Sequence, residues 1–88
     1  MSAPELSVVV PVHNGAAWIR EALEAIFAQA DGRPMEVIVV DDCSRDESAH
    51  LLRQLSERWP LQILAGEGRG AAAAINIGVR AARFPLIC

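Results

Sequence analysis

Hydrophobic residues along the chain alternate between short unbroken runs and longer stretches with helical spacing. The runs at 6–10 and 36–40 are rich in β-branched residues and apolar on both faces, as in the central strands of a parallel sheet covered by helices on both sides. The run at 61–64 is weaker, which is typical of an edge strand. A fourth strand is predicted to begin at 86–88.

Helical patterns fill the intervals between these runs. From 15 to about 30, apolar residues recur at i, i+3, i+4 and i+7, which predicts an amphipathic helix, and the turn cluster 31–34 follows it. The segment 44–47, Ser-Arg-Asp-Glu, matches a capping box and predicts the start of a second helix that ends before Pro60. An alanine-rich third helix is predicted over about 71–82.

The order β-α-β-α-β-α-β predicts an α/β fold with a parallel sheet between two helical layers, a three-layer α/β/α arrangement that is Rossmann-like. Right-handed crossovers between parallel strands lead to this arrangement, and we predict the strand order 3-2-1-4. The 88 residues form one small domain or part of a larger one, and 52% of them are hydrophobic, which is ample for a packed core. We expect one domain that stops at its fourth strand.

Charge and cysteine content narrow the function classes. The formal net charge is −3 and the arginines are scattered singly, which argues against a nucleic-acid partner. Cys43 and Cys88 are too few for a disulfide framework, and the N-terminus lacks the pattern of a signal peptide. No apolar run approaches the roughly 20 residues of a membrane span, so membrane association would require segments outside this chain. We expect a cytoplasmic protein.

Two aspartates, Asp41 and Asp42, directly follow the second predicted strand. Open parallel sheets bind ligands at the carboxyl ends of their strands. A carboxylate there can accept hydrogen bonds from ribose hydroxyls or a base N–H, and two together can attract a metal. The alternative is a loop charge favoured by the N-terminus of the next helix. We expect a ligand role for at least one of the pair.

The exit from the first strand offers a second set of candidates. His13 can stack on a nucleotide or form a hydrogen bond with it, although a lone loop histidine is more often merely exposed. Asn14 can hold the loop or cap the helix. Near the third strand exit, Arg69 can pair with a phosphate or remain solvated. The glycines around it, at 66, 68 and 70, match neither G-x-G-x-x-G nor the Walker pattern, so the phosphate-loop signal is weak.

Three segments, in this order and spacing, carry a family resemblance: LSVVVPVHNGAAWIREALEAIFAQ, EVIVVDDCSRDES and GRGAAAAINIGVRAA. Together they resemble the N-terminal, nucleotide-binding half of family 2 glycosyltransferases of the GT-A fold, over nearly the whole chain. The resemblance implies an inverting enzyme that transfers a sugar from a nucleotide-sugar donor, with a leaning to UDP-sugars, to an unknown acceptor.

The resemblance also implies roles for single residues of the donor nucleotide site. Pro11 and His13 would flank the base, and Asp42 would bind its polar edge or the ribose. Asp41 is the secondary candidate, and Arg69 is a candidate for a phosphate contact.

The family segment G-x-x-x-A-R-N-x-G maps onto 70–78. Asn76 and Gly78 are retained, whereas Ile75 stands where the arginine is often found.

Two family features lie outside these 88 residues. One is a D-x-D-like motif that binds a divalent metal, Mg or Mn, on the donor diphosphate, and the other is a carboxylate base that activates the acceptor. We therefore expect residues 1–88 to be the nucleotide-sugar-binding part of a glycosyltransferase domain, without catalytic residues and inactive alone.

The alternatives are a nucleotide-binding module without turnover and a fragment that forms a homodimer through an exposed sheet edge. A nicotinamide-binding or receiver domain fits less well, because the glycine fingerprint is missing and the acidic pair follows strand two.

Overall fold

The computed structural model describes residues 6–30, 35–84 and 86–87 and contains seven regular elements. They are β1 (Leu6–Val12), α1 (Ile19–Ala30), β2 (Met35–Asp41), α2 (Ser48–Leu55), β3 (Leu61–Ala65), α3 (Ala71–Ala81) and β4 (Leu86–Ile87). The strands form one sheet in the order β3-β2-β1-β4, and every pairing is parallel. The predicted α/β fold class is confirmed. Within the described residues, no helix is long and apolar enough to cross a bilayer.

Alternating side chains of the central strands build a core on each face of the sheet. The core covered by α1 and α2 consists of Val8, Val12, Ile19, Leu23, Val37, Val39, Leu52 and Leu55. The core covered by α3 consists of Val9, Ile38, Val40 and Ala74. The second core is thin because α3 lies close to the sheet: a Cβ added to Gly78 would lie 3.3 Å from Val40 Cγ2 and closer still to Val9.

The strand register brings three loops to one level. Val12 pairs with Asp41, and Asp41 pairs with Ala65, so β1, β2 and β3 end side by side. Three loops therefore lie together at the carboxyl ends of the strands, where ligands bind in folds of this type. They are the β1–α1 loop (13–18), the β2–α2 loop (42–47) and the glycine loop (66–70).

A polar cluster lies at the other end of the central strands, near the starts of β1 and β2. The buried Ser7 hydroxyl donates to Glu36 Oε1 at 2.7 Å, and Arg83 donates to Glu36 Oε2 through Nε at 3.2 Å and a terminal nitrogen at 3.1 Å. The Ser7 hydrogen bond, supported by Arg83, lowers the pKa of Glu36 below its ordinary value of 4.5. The cluster joins β1, β2 and the segment after α3.

Two predicted helix starts are wrong. The first helix begins at Ile19 rather than at Gly15, because residues 16–18 form a turn while the amides of Gly15 and Ala16 donate to side chains near α2. The capping box does not form within the described residues: α2 begins at Ser48, and the Ser44 hydroxyl accepts a hydrogen bond from the β1–α1 loop instead.

The predicted turn cluster 31–34 and Cys88, the last residue of the predicted fourth strand, lie outside the described residues.

Candidate functional site

A cleft of about 330 Å³ lies at the carboxyl ends of β1 and β2. The residues that line it are Pro11, Val12, His13, Asp42, Gly68, Gly70 and Ala71. Its volume is at the lower end of the range for small-molecule sites, roughly 300–1,000 Å³. The lining is largely apolar, and its ionisable side chains are His13 and Asp42, from two consecutive strand exits.

The backbone fixes the tautomer of His13. Its Nδ1 lies 2.7 Å from the carbonyl oxygen of Asp42. A carbonyl only accepts, so Nδ1 carries the hydrogen, and Nε2 is left as an acceptor when the ring is neutral. The side-chain nitrogen of Asn14 lies 3.4 Å from Nε2 and is oriented to donate a hydrogen to it.

Asn14 fastens the β1–α1 loop to the β2–α2 loop. Its backbone is left-handed, with φ of 52°, a conformation that asparagine tolerates better than most residues. Its Oδ1 accepts the amide of Arg45 at 2.7 Å and that of Asp46 at 3.3 Å, and its own amide donates to Ser44 Oγ at 2.9 Å. Of the two roles predicted for Asn14, the structure shows the loop-holding one.

Two further side chains complete this connection. The fully buried Ser48 accepts the amide of Gly15 at 2.8 Å, and Asp46 Oδ2 accepts the amide of Ala16 at 3.1 Å. The Ser48 hydroxyl also donates to Asp46 Oδ1, which lowers the pKa of Asp46 below its ordinary value of 3.8. We call Asn14, Ser44, Asp46 and Ser48 the loop clamp.

Sequence reasoning missed Asp46 and Ser48 as members of this site. The available signal was the short Asp-x-Ser spacing at a helix start, where such side chains often bond nearby backbone amides.

The carboxylate of Asp42 is turned into the protein. Asp42 is only 4% exposed, its Oδ1 accepts the amide of Gly68 at 2.7 Å, and its Oδ2 accepts the amide of Gly70 at 3.1 Å. The neighbouring Asp41 is half-buried, and its Oδ1 accepts the amide of Ser44 at 3.3 Å. The two aspartates thus organise different loops.

The structure brings together three of the five predicted site residues. Pro11, His13 and Asp42 line the cleft, whereas Asp41 and Arg69 are not among its lining residues in the described part of the chain. Arg69 is exposed, and its guanidinium lies 3.8 Å from the Glu67 carboxylate of the same loop, in an ion pair that is open to water. Ligand binding by these residues stays a prediction.

The family model of Glycosyl transferase family 2 matches residues 7–88. The chain belongs to this family. Succinoglycan biosynthesis protein ExoO of Rhizobium meliloti (strain 1021) is 38% identical over 80 residues, which are 91% of this chain and 23% of ExoO.

Two solved structures share the fold. TarS 1-349 of S. aureus, in complex with UDP-GlcNAc, has a TM-score of 0.79 and 28% identity over 91% of this chain and 24% of its own. The mannosyltransferase PcManGT from Pyrobaculum calidifontis, in complex with GDP-Man and Mn²⁺, has a TM-score of 0.80 and 33% identity over 94% of this chain and 26% of its own. The family and the GT-A fold predicted from the sequence are confirmed. The chain spans about a quarter of the length of these relatives.

A divalent metal is associated with this fold, since PcManGT carries Mn²⁺ together with GDP-Man. Among residues 6–30, 35–84 and 86–87, no three His, Cys, Asp or Glu side chains come together as a ligand set. Both carboxylate oxygens of Asp42 already accept hydrogen bonds from backbone amides. The positive ends of these amides favour an anion and disfavour a metal cation at the same place. The described residues therefore do not fit a metal site.

Proposed function

We propose that this chain forms the donor-nucleoside site of a glycosyltransferase that moves a sugar from a nucleotide-sugar to an acceptor. The observation that carries the proposal is the meeting of Pro11, His13 and Asp42 in one cleft at two consecutive strand exits, in a chain of glycosyl transferase family 2. The nucleotide-sugars in the TarS and PcManGT complexes support this class of donor.

Each lining group has a matching part in a nucleoside. Pro11 and Val12 offer an apolar surface to the face of a base, and His13 Nε2, whose contact with Asn14 is long at 3.4 Å, would accept from a base N–H in place of that contact. Asp42 is an acceptor for a base N–H or a ribose hydroxyl. Because the cleft measures about 330 Å³, it suits the nucleoside part, and the diphosphate and sugar would extend beyond it.

The rest of the reaction is assigned to residues outside this chain. In our proposal residues 1–88 are the nucleotide-sugar-binding part of the domain, while the ligands of a divalent metal and the base that activates the acceptor lie elsewhere. Transfer would proceed with inversion at the sugar carbon, as the family resemblance implies, since a base on the opposite face of the sugar activates the acceptor. The 88-residue chain alone should bind donor nucleotide without transferring sugar.

The proposal is tested by titrating the 88-residue chain with UDP and with GDP, followed by calorimetry and amide chemical shifts. We expect shifts at His13 and Asp42 and an affinity that falls about tenfold in His13→Ala, the equivalent of one hydrogen bond of about 1.4 kcal/mol. His50→Ala is the matched control, because His50 is an exposed histidine on α2 that does not belong to the cleft lining in the described residues.

Two results would overturn the proposal: a folded chain that binds neither nucleotide at millimolar concentration, or an equal loss of affinity in His13→Ala and His50→Ala. Sugar transfer by a longer chain that contains residues 1–88 would separate a transferase from a nucleotide-binding module without turnover.

A further inference from the structure

The glycine loop 66–70 wraps around a carboxylate of the protein itself. The amides of Gly68 and Gly70 donate to the two oxygens of Asp42 at 2.7 Å and 3.1 Å, across 26 and 28 positions of the chain. Asp42 is 4% exposed, so the acceptor side of these charge-assisted hydrogen bonds is shielded from water, whereas Gly68 and Gly70 lie at the surface. This contact joins the exits of β2 and β3.

Each of the three glycines serves this contact. A Cβ on Gly66 would lie 2.8 Å from the Asp42 Cα and would collide with its Oδ1, so only glycine leaves room for the aspartate. Gly68 and Gly70 have φ values of 73° and 98°, which residues with side chains rarely adopt. Backbone amides that converge from such conformations form an anion-binding concavity. The glycine spacing, which matches neither G-x-G-x-x-G nor the Walker pattern, thus has an internal anion as its ligand.

We propose that Asp42 is a positioning residue whose carboxylate folds the glycine loop into one wall of the cleft and occupies the place where a phosphate would otherwise bind. Two consequences follow for the donor, and they rest on the proposed function. The diphosphate is not held by the amides of Gly68 and Gly70. A donor group that meets Asp42 supplies a hydrogen, because the remaining lone pairs of the carboxylate only accept.

The first test needs no nucleotide. Hydrogen exchange of the Gly68 and Gly70 amides is measured by NMR in the 88-residue chain and in Asp42→Ala and Asp42→Asn. We expect protection of both amides to fall about tenfold or more in Asp42→Ala, since each loses a charged acceptor. In Asp42→Asn the single carbonyl oxygen can keep only one of them. Glu67→Gln is the control, because it removes one charge from an exposed side chain of the same loop.

Rescue by a small carboxylate distinguishes a positioning role of the Asp42 carboxylate from a general loss of folded structure in the variant. In Asp42→Ala, added formate should restore protection of the Gly68 and Gly70 amides and recover part of the affinity for UDP. Inorganic phosphate should shift the same two amides in Asp42→Ala, and not in the unaltered chain, where the carboxylate already fills the concavity.

Unchanged protection of both glycine amides in Asp42→Ala would overturn the proposal, and so would phosphate binding of equal strength to the unaltered chain. If Asp42→Ala does not fold, the exchange of the Gly68 and Gly70 amides in the nearly isosteric Asp42→Asn decides between the outcomes. A chain that shows the expected exchange pattern but binds no nucleotide would overturn the proposed function and leave the loop-folding role of Asp42 in place.

Discussion

Two serines of the loop clamp perform the same task in different surroundings, and this difference predicts their energetic weight. Ser48 Oγ accepts the amide of Gly15 in the buried interior, whereas Ser44 Oγ accepts the amide of Asn14 at the exposed surface. Replacing either serine by alanine removes one acceptor from the β1–α1 loop, and Ser48→Ala also removes the hydrogen bond that Ser48 donates to Asp46. Of the two amides that lose their acceptor, only that of Gly15, the partner of Ser48, is buried away from water.

The magnitudes follow from this contrast. A buried amide without an acceptor costs about 1–3 kcal/mol, while an exposed amide can bond to water, and surface substitutions usually stay within about 0.5 kcal/mol. Ser48 is also the first residue of α2, where alanine recovers at most about 0.7 kcal/mol of helix propensity. We therefore expect Ser48→Ala to lower the free energy of unfolding by about 1–2 kcal/mol and Ser44→Ala by about 0.5 kcal/mol or less.

Urea unfolding followed by tryptophan fluorescence and circular dichroism measures both values, with the slope against denaturant checked for each variant. Ser48→Ala should also weaken UDP binding, because the loop that carries His13 loses an anchor. Equal destabilisation by the two substitutions would refute the reasoning, since burial would then not govern the cost. A larger loss at Ser44 would refute it more strongly.

Three further predictions concern other contacts. Gly78→Ala should lower the free energy of unfolding by about 1 kcal/mol in urea titrations, because overpacking against Val9 outweighs the gain of about 1 kcal/mol in helix propensity; in a Val9→Ala background the same change should stabilise. The folded-state pKa of Glu36 lies below its unfolded value, so its contribution is complete above about pH 4.5 and is lost as the pH falls through the folded pKa. Urea midpoints measured between pH 6 and pH 3 should therefore show a shallower decline in Glu36→Gln, and an unchanged decline would contradict this. Gly66→Ala, which keeps the carboxylate of Asp42 but forces it away, should weaken UDP binding in a calorimetric titration.

The sequence was sufficient to predict those features that depend on residue pattern alone. β-Branched runs apolar on both faces indicated buried parallel strands, and the rule that ligands bind at strand exits drew attention to His13 and Asp42. The helix starts were mispredicted because local signals compete with tertiary partners. The Ser44 hydroxyl has the spacing of a cap, yet it accepts an amide 30 positions earlier in the chain.

The interior of the site was beyond sequence reasoning for the same physical reason. The glycines at 66, 68 and 70 indicate an unusual backbone conformation. The group that this loop binds, the carboxylate of Asp42, follows a different strand, β2. Ser48 resembles any serine at a helix start until Gly15 is brought beside it. Such contacts depend on register, which the pattern of single segments does not reveal.

The loop clamp divides its chemistry unevenly between its two sides. The amides of Asn14, Gly15 and Ala16 donate to side-chain oxygens of Ser44, Ser48 and Asp46, whereas the β1–α1 loop contributes one side chain to the clamp, that of Asn14, which accepts the amides of Arg45 and Asp46. Ala16 joins the clamp through its main-chain amide, so its side-chain identity is open to variation, whereas Ser48 and Asp46 must keep their oxygens. An engineer who wishes to vary the β1–α1 loop should therefore randomise position 16 and hold the facing loop constant.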